Sequence, residues 1–295
     1  MESSQKKGWQ RQLLLRHLFQ ARGKKASANA GITLLECLIA IAVVGITAGL
    51  ILPPLFLATG TRVQNRRAEQ AFQLAQEEIN RLQTMTANGD NQSRRLPNTV
   101  TARGAYFNMG GGGGTVIADV APPTGEWVGN VQSSGACDNY DPFNPSNLAA
   151  AVDVPPINRA LRIDVDGNCA ANDSNDFYMQ IFRDFGTYSD FEVGRVATPN
   201  QRRPSVYRAV VRVYSAVAAR DWGRLITPVV PASLQLTRGE GNQGEYPLAI
   251  MNTLIVDSGS TDASCAVLYH TAQEKGENLP NADRNRCRNA VDLLP

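Results

Sequence analysis

One carboxylate, Glu36, lies near the start of an apolar run that is otherwise uncharged and continues to Ala58. A carboxylate inside the bilayer core costs about 2.5–3.5 kcal/mol even on the most permissive insertion scale. A carboxylate at this position is therefore expected to have a specific use.

A second group of candidate residues is rich in side-chain oxygens and lies between two predicted strands. Its spacing does not fit the EF-hand template, because Gly167 is the fourth residue from Asp164 and the template needs glycine at the sixth. The sequence therefore predicts a polar hairpin loop without a cofactor, and a calcium site is the weaker alternative. The metal-ligand candidates are Asp164, Asp166 and Asp173.

The cysteines indicate an oxidising compartment. Cys37 lies in the apolar run, whereas an even number of cysteines follows the run, which suggests two disulfides. Three pairings are possible, and the sequential one is favoured because it closes the shortest loops. The four candidates are Cys137, Cys169, Cys265 and Cys287.

No arrangement of residues indicates catalysis or a zinc site. The chain has two histidines and no Cys-x-x-Cys pair, which argues against a zinc site. His270 has no nucleophile next to it in sequence and is expected to be a surface or packing residue. We therefore expect a protein that is not an enzyme.

Charge is distributed unevenly along the chain. Residues 1–31 carry seven basic residues and one acid, a net charge of +6, and the remainder carries 22 basic and 26 acidic residues, a net charge of −4. An acidic body argues against nucleic-acid binding. The basic leader predicts a cytoplasmic N-terminus by the positive-inside rule.

The apolar run and the segment after it predict one long helix. Residues 37–58 are long enough to span about 30 Å of hydrocarbon. Pro53 and Pro54 should kink the helix or leave backbone carbonyls free near its outer end. From Arg62 to Met85 the spacing changes to that of an amphipathic helix, with an apolar stripe over Ala68, Phe72, Ala75, Ile79 and Leu82.

The remainder of the chain predicts a loop-rich segment followed by strands. Residues 88–158 are rich in glycine and proline. Strand patterns follow, and the first two form a hairpin with a long loop. The predicted fold class is α+β, with a long N-terminal helix packed on an antiparallel sheet. The strand segments are 160–165, 176–183, 205–215, 232–237 and 251–256.

The segment Gly31-Ile-Thr-Leu-Leu-Glu36, followed by about twenty apolar residues, resembles the N-terminal signature of type IV prepilins and type II secretion pseudopilins. The leader is longer than is usual in these families, and Ile32 replaces their commoner Phe or Met. The resemblance implies cleavage between Gly31 and Ile32 by a prepilin peptidase and N-methylation of Ile32. It also implies that Glu36 becomes the fifth mature residue and pairs with a neighbouring Ile32 amine.

The same resemblance implies an organisation and a set of partners. Residues 1–31 would be a cleaved leader, 32–58 a transmembrane helix, 59–87 its amphipathic continuation and 88–295 a periplasmic head. The chain would be a single-pass inner-membrane protein that joins other pilin-like subunits and an assembly platform. Short segments of the head, 162–167 and 177–184, resemble pseudopilins of polysaccharide secretion in motile filamentous cyanobacteria.

Several alternatives remain open. A minor type IV pilin for twitching motility, adhesion or DNA uptake would have the same N-terminal features. A membrane-anchored periplasmic enzyme or binding module could use the apolar run as an anchor only. The free-energy cost of placing the Glu36 carboxylate in the bilayer would then have no explanation. A signal peptide cut near Ala58 would have an unusually long apolar stretch, and a lipoprotein signal needs a small residue rather than Glu36 before Cys37.

Overall fold

The computed structural model describes residues 33–101, 105–110, 114–127, 154–167, 173–233, 240–260 and 262–288. The chain divides into two compact units, Met1–Phe56 and Leu57–Pro295. The predictions for the leader, for Gly31 and Ile32, and for Cys137 and Cys169 fall outside the described residues. The predicted α+β class is confirmed by a long N-terminal helix and a four-stranded antiparallel sheet.

Helix α1 spans Leu34–Ala87 and includes both the apolar and the amphipathic segments. Within the second unit, its buried stripe packs against the sheet as part of the main core. The stripe prediction is wrong at Phe72, which is 54% exposed, while the adjacent Ala71 is fully buried. Small residues at 71 and 75 let the helix backbone lie close to the sheet, and the bulky Phe72 lies beside that contact. The buried apolar residues of the stripe are Ala71, Ala75, Ile79, Leu82 and Met85.

The sheet has the order β1-β2-β3-β4, and every neighbouring pair is antiparallel. The predicted hairpin is present, with Ile163 opposite Phe177. The predicted strands at 205–215 and 251–256 are also present with shifted ends. Of the predicted strand at 232–237, residues 234–237 lie outside the described part, and Ala232 and Ser233 are not in a strand. The strands are β1 (Leu161–Ile163), β2 (Phe177–Arg183), β3 (Val206–Ser215) and β4 (Ala249–Val256).

The central strands are buried on both faces. On one face, alternate residues of β3 such as Tyr207 and Val211 join the α1 stripe in the core. On the other face, Arg212 is fully buried and donates to the backbone oxygens of Ile117 and Val120 at 2.6 and 2.8 Å. The loop that contains these two residues therefore covers the second face of the sheet.

Short helices complete the described part of the second unit. Helix α4 (Ala263–Lys275) is followed by Gly276, which has the left-handed conformation (φ 69°) that favours glycine after a helix. The α-helices are α2 (Asp190–Arg195), α3 (Ala216–Ala219), α4 (Ala263–Lys275) and α5 (Asn281–Cys287), and the 3-10 helices are Ile117–Asp119, Pro199–Gln201, Trp222–Arg224 and Glu240–Gly244.

Candidate functional site

The first part of α1 presents an apolar surface that no described residue of its unit covers. Every residue from Leu34 to Leu55 is exposed, and Ile41, Ile46 and Ile51 are each more than half exposed. This helix near the N-terminus is long and apolar enough to cross a membrane. Contiguous apolar surface of this extent indicates contact with lipid or with another protein.

Glu36 lies in the first turn of this helix. The hydroxyl of Thr33 accepts a hydrogen bond from the backbone nitrogen of Glu36 at 3.2 Å, which satisfies one of the free N–H groups at the helix start. The spacing Thr33-Leu-Leu-Glu36 is that of a capping box, and a carboxylate at a helix N-terminus interacts favourably with the helix dipole. Glu36 therefore also stabilises the N-terminus of α1.

Two prolines, Pro53 and Pro54, lie inside α1. Proline has no backbone N–H, so the carbonyls four residues earlier, at Gly49 and Leu50, lack their usual helical donors. The helix is nevertheless continuous through this point. A kink at the two prolines stays a prediction.

The second candidate site is a buried cluster in the head around His270. This residue on α4 is fully buried, and its Nε2 lies 3.0 Å from Asp184 Oδ2 and 3.4 Å from Glu274 Oε1. Arg208 on β3 binds Glu274 with two nitrogens, of which Nη2 is 2.8 Å from Oε2. The cluster joins α4 to β3 and to the turn after β2. The expectation of a surface residue is wrong, whereas the alternative of a packing residue agrees with the burial of His270, which is also part of a charged network.

The hydrogen bonds around His270 indicate an imidazolium. Thr187 donates its single hydroxyl proton to the Tyr106 oxygen, so its oxygen accepts from His270 Nδ1 at 3.1 Å. The other ring nitrogen, Nε2, faces the carboxylates of Asp184 and Glu274 at 3.0 and 3.4 Å, and a proton on it makes this contact attractive. The contact is ionic, since neither Nε2 nor Asp184 Oδ2 forms a hydrogen bond of normal geometry with a described residue. The arrangement therefore favours a ring that is protonated on both nitrogens.

The electrostatic environment agrees with this assignment. Burial alone would lower the pKa of His270, but the carboxylates of Asp184 and Glu274 outweigh burial and raise the pKa. Burial alone would raise the pKa of Glu274, but His270 and Arg208 outweigh it and lower the pKa. Two cations then balance two carboxylates.

Asp184, His270 and Glu274 are also the group of described side chains that could surround a metal ion. Arg208 already occupies both oxygens of Glu274, and His270 with both nitrogens protonated has no lone pair for a metal. All three side chains are buried, so a substrate has no access to the group. The geometry therefore favours a structural ion-pair network over a metal centre or a catalytic site.

The weak calcium candidates use their carboxylates to shape the hairpin loop. Asp164 Oδ1 accepts from the backbone nitrogens of Asp166 and Gly167 at 3.1 and 2.6 Å. Asp173 Oδ1 accepts from the backbone nitrogen of Asn175 at 3.0 Å, and the Asn175 amide donates to Asp166 Oδ2 at 3.1 Å. Such bonds are typical of a polar turn, which agrees with the hairpin loop favoured by the sequence.

A disulfide joins Cys265 at the start of α4 to Cys287 at the end of α5. This bond is one of the two in the sequential pairing, whose other members lie outside the described residues. Cys37 is exposed and is a free cysteine.

Replacing Cys265 and Cys287 with serine is expected to lower the free energy of unfolding by about 3 kcal/mol, because the bond closes a loop with a sequence separation of 22 residues. Urea unfolding under non-reducing conditions measures this change. The matched control is Cys37→Ser, which should leave the midpoint unchanged. Equal midpoints for all three proteins would contradict the prediction.

Sequence reasoning missed the partners of His270, although one signal was present. His270 and Glu274 are four residues apart and therefore share a helix face. Asp184 and Arg208 are distant in sequence, and only the pairing of β2 with β3 brings them to α4.

The chain matches no known family model, no curated protein and no solved structure.

Proposed function

We propose that this chain is a pilin-like filament subunit, specifically a minor pseudopilin of a type II secretion or type IV pilus-like apparatus. The observation that carries the proposal is the combination, in α1, of an exposed apolar surface of membrane length with a single carboxylate in its first turn. The resemblance of residues 31–36 to the prepilin signature supports it.

The mechanism is assembly. The apolar part of α1 holds the unassembled subunit in the bilayer, and packing against the helices of neighbouring subunits replaces lipid when the subunit enters a filament. Cleavage by the prepilin peptidase after Gly31 frees the amine of Ile32, which is then methylated and pairs with Glu36 of a neighbour. Each group offsets the lost hydration of the other, so removal of either one leaves an uncompensated charge.

The proposed location follows from charge and cysteine usage. The leader, with net charge +6, stays on the cytoplasmic side of the inner membrane. The head lies in the periplasm, where the Cys265–Cys287 disulfide can form. Its partners there are other pilin-like subunits and the inner-membrane assembly platform. The resemblance of segments 162–167 and 177–184 to polysaccharide-secretion pseudopilins favours a role in polysaccharide export and gliding.

Mass spectrometry of the native protein tests the proposal directly. The mature chain is expected to begin at Ile32 and to carry one methyl group on its terminal nitrogen. Gly31→Asp should abolish cleavage, since a prepilin peptidase needs a small residue before the cut.

Gly23→Asp, which places the same change elsewhere in the leader, is the matched control and should be processed normally. An intact, unmodified N-terminus in the native protein would contradict the proposal and favour a simple membrane anchor.

A further inference from the structure

A cavity of about 330 Å³ lies in the head beside the end of β2. Its walls are the segments 93–99 and 199–202, which are joined by backbone hydrogen bonds from Ser93 N to Arg202 O at 2.9 Å and from Arg94 N to Asn200 O at 3.0 Å. The size is at the lower end of the range for small-molecule sites. The walls are thus already in place before any ligand binds.

Arg183, the last residue of β2, lines this cavity and is only 3% exposed. Its hydrogen bonds to described residues come from one nitrogen, Nη1, which donates to the carbonyls of Asp184 and Phe185 at 2.9 and 3.0 Å. Its Nε is buried and has no acceptor in the described part of the chain, and its guanidinium carbon lies 5.8 Å from the centre of the Tyr207 ring. A buried charge is normally paired, but no described carboxylate forms an ion pair with Arg183.

Other arginines of the head show the contrast. The half-buried Arg208 is paired with Glu274, and the half-buried Arg162 with Asp176 at 2.7 Å. Arg212 is fully buried and, like Arg183, has an Nε without an acceptor among the described residues, but its two other nitrogens donate to three oxygens. Among the described residues, Arg183 is a buried arginine that has no carboxylate partner and that also lines a cavity.

A second arginine lines the same cavity without a carboxylate. Arg202 is half-buried, and its Nε donates to the Val196 carbonyl at 2.9 Å. The adjacent Arg203, in contrast, is neutralised by Glu192 at 3.1 Å. None of the described residues that line the cavity is acidic. Two guanidinium groups and no described carboxylate therefore line the cavity, which favours an anionic ligand.

We propose that this cavity binds the carboxylate of a small sugar acid, with Arg183 at its base and Arg202 beside it. A guanidinium matches a carboxylate in planar, charge-assisted geometry. The rest of the lining is polar and aromatic: Tyr188, whose hydroxyl bonds to Ser93, provides part of its ring, Asn98 provides an amide oxygen while its nitrogen donates to Pro155, and Asn200 provides an amide. The cavity volume fits one sugar unit rather than an extended peptide. This site is independent of the processing and assembly of α1.

Calorimetric titration of the full chain in detergent with D-glucuronate tests the proposal. Saturable binding in the millimolar range is expected. Glucose lacks the carboxylate and acetate lacks the ring, so each should bind at least about tenfold more weakly. Arg202→Gln should weaken glucuronate binding at least about tenfold, and Arg183→Gln should abolish it. Thermal unfolding of each variant checks that the head is folded.

The matched control is Arg195→Gln, which removes the same charge from a position outside the cavity and should leave binding unchanged. Absence of saturable glucuronate binding, or equal affinity for glucose, would overturn the proposal. Equal weakening by Arg195→Gln and Arg202→Gln would also overturn it. Tighter binding of N-acetyl-dialanine than of glucuronate would assign the site to a peptide carboxylate and overturn the sugar acid.

Discussion

Replacement of Glu36 with leucine is expected to leave the chain in the membrane as an unassembled subunit. Insertion should not suffer, because the change removes a carboxylate that costs about 2.5–3.5 kcal/mol in the bilayer core. Assembly should be lost, because the terminal amine of Ile32 would be buried in the filament without its partner. Breaking a buried ion pair by removing one member costs about 3–5 kcal/mol, which lowers an association constant by more than about 100-fold.

The measurement is complementation of a deletion strain, with sedimentation of sheared filaments and assays of exported polysaccharide and of surface pili. The matched control is Glu77→Leu, which removes an exposed carboxylate from the amphipathic part of the same helix and should assemble normally. Loss of polysaccharide with surface pili retained would favour the secretion apparatus over a motility pilus. Normal filament incorporation of Glu36→Leu would contradict the assembly role of Glu36.

Replacement of His270 with leucine is expected to lower the free energy of unfolding of the head by about 3–5 kcal/mol at pH 5.5. The two carboxylates, Asp184 and Glu274, would then share Arg208 as their remaining cation, so one buried negative charge would be uncompensated. Leucine fills most of the vacated volume, so the lost positive charge accounts for most of the expected destabilisation.

The effect should depend on pH in a defined direction. The pKa of His270 is raised in the folded state, so its stabilising contribution is complete below the unfolded pKa of about 6.5 and is lost as the pH rises through the folded value. The pKa of Glu274 is lowered, so its contribution is present above about 4.3 and is lost as the pH falls through the folded value. The head should be most stable between these two limits.

Urea unfolding followed by tryptophan fluorescence at pH 5.5 and pH 9 measures this effect. The difference between the native protein and His270→Leu should be larger at pH 5.5. In the full-length chain, produced without a prepilin peptidase, His17→Leu removes the other histidine and should leave the pH dependence unchanged. A difference that grows from pH 5.5 to pH 9 would contradict the imidazolium assignment.

Much of the fold follows from local patterns. The uncharged run, the 3.6-residue periodicity after it and the strand segments are local signals, and they predict α1, three of the four strands within a residue or two, and β1 as a longer strand than the observed one. Within the apolar stripe of the helix, the prediction is wrong at Phe72, where apolar character and spacing indicated burial. Periodicity alone does not reveal which residue of a stripe is small enough to contact a sheet, and here Ala71 has that role.

The charged sites are harder to predict because their members meet only in three dimensions. His270 is beside Glu274 on one helix, but Asp184 comes from the turn after β2 and Arg208 from the middle of β3. The cavity beside Arg183 is similar, since its walls come from segments about a hundred residues apart. A sequence shows where these arginines are, but it does not show which of them form an ion pair with a carboxylate in the folded protein.

One glycine has an effect well beyond its own position. Gly186 has φ 83°, and a Cβ there would lie 2.8 Å from the carbonyl oxygen of Val206. This residue lies between Asp184 and Thr187, two polar neighbours of the His270 ring that come from outside its own helix. A methyl group at this point would push the turn away from β3 and would move both contacts of the imidazole together. The protonation state of a histidine more than eighty residues away along the chain thus depends on the absence of a side chain.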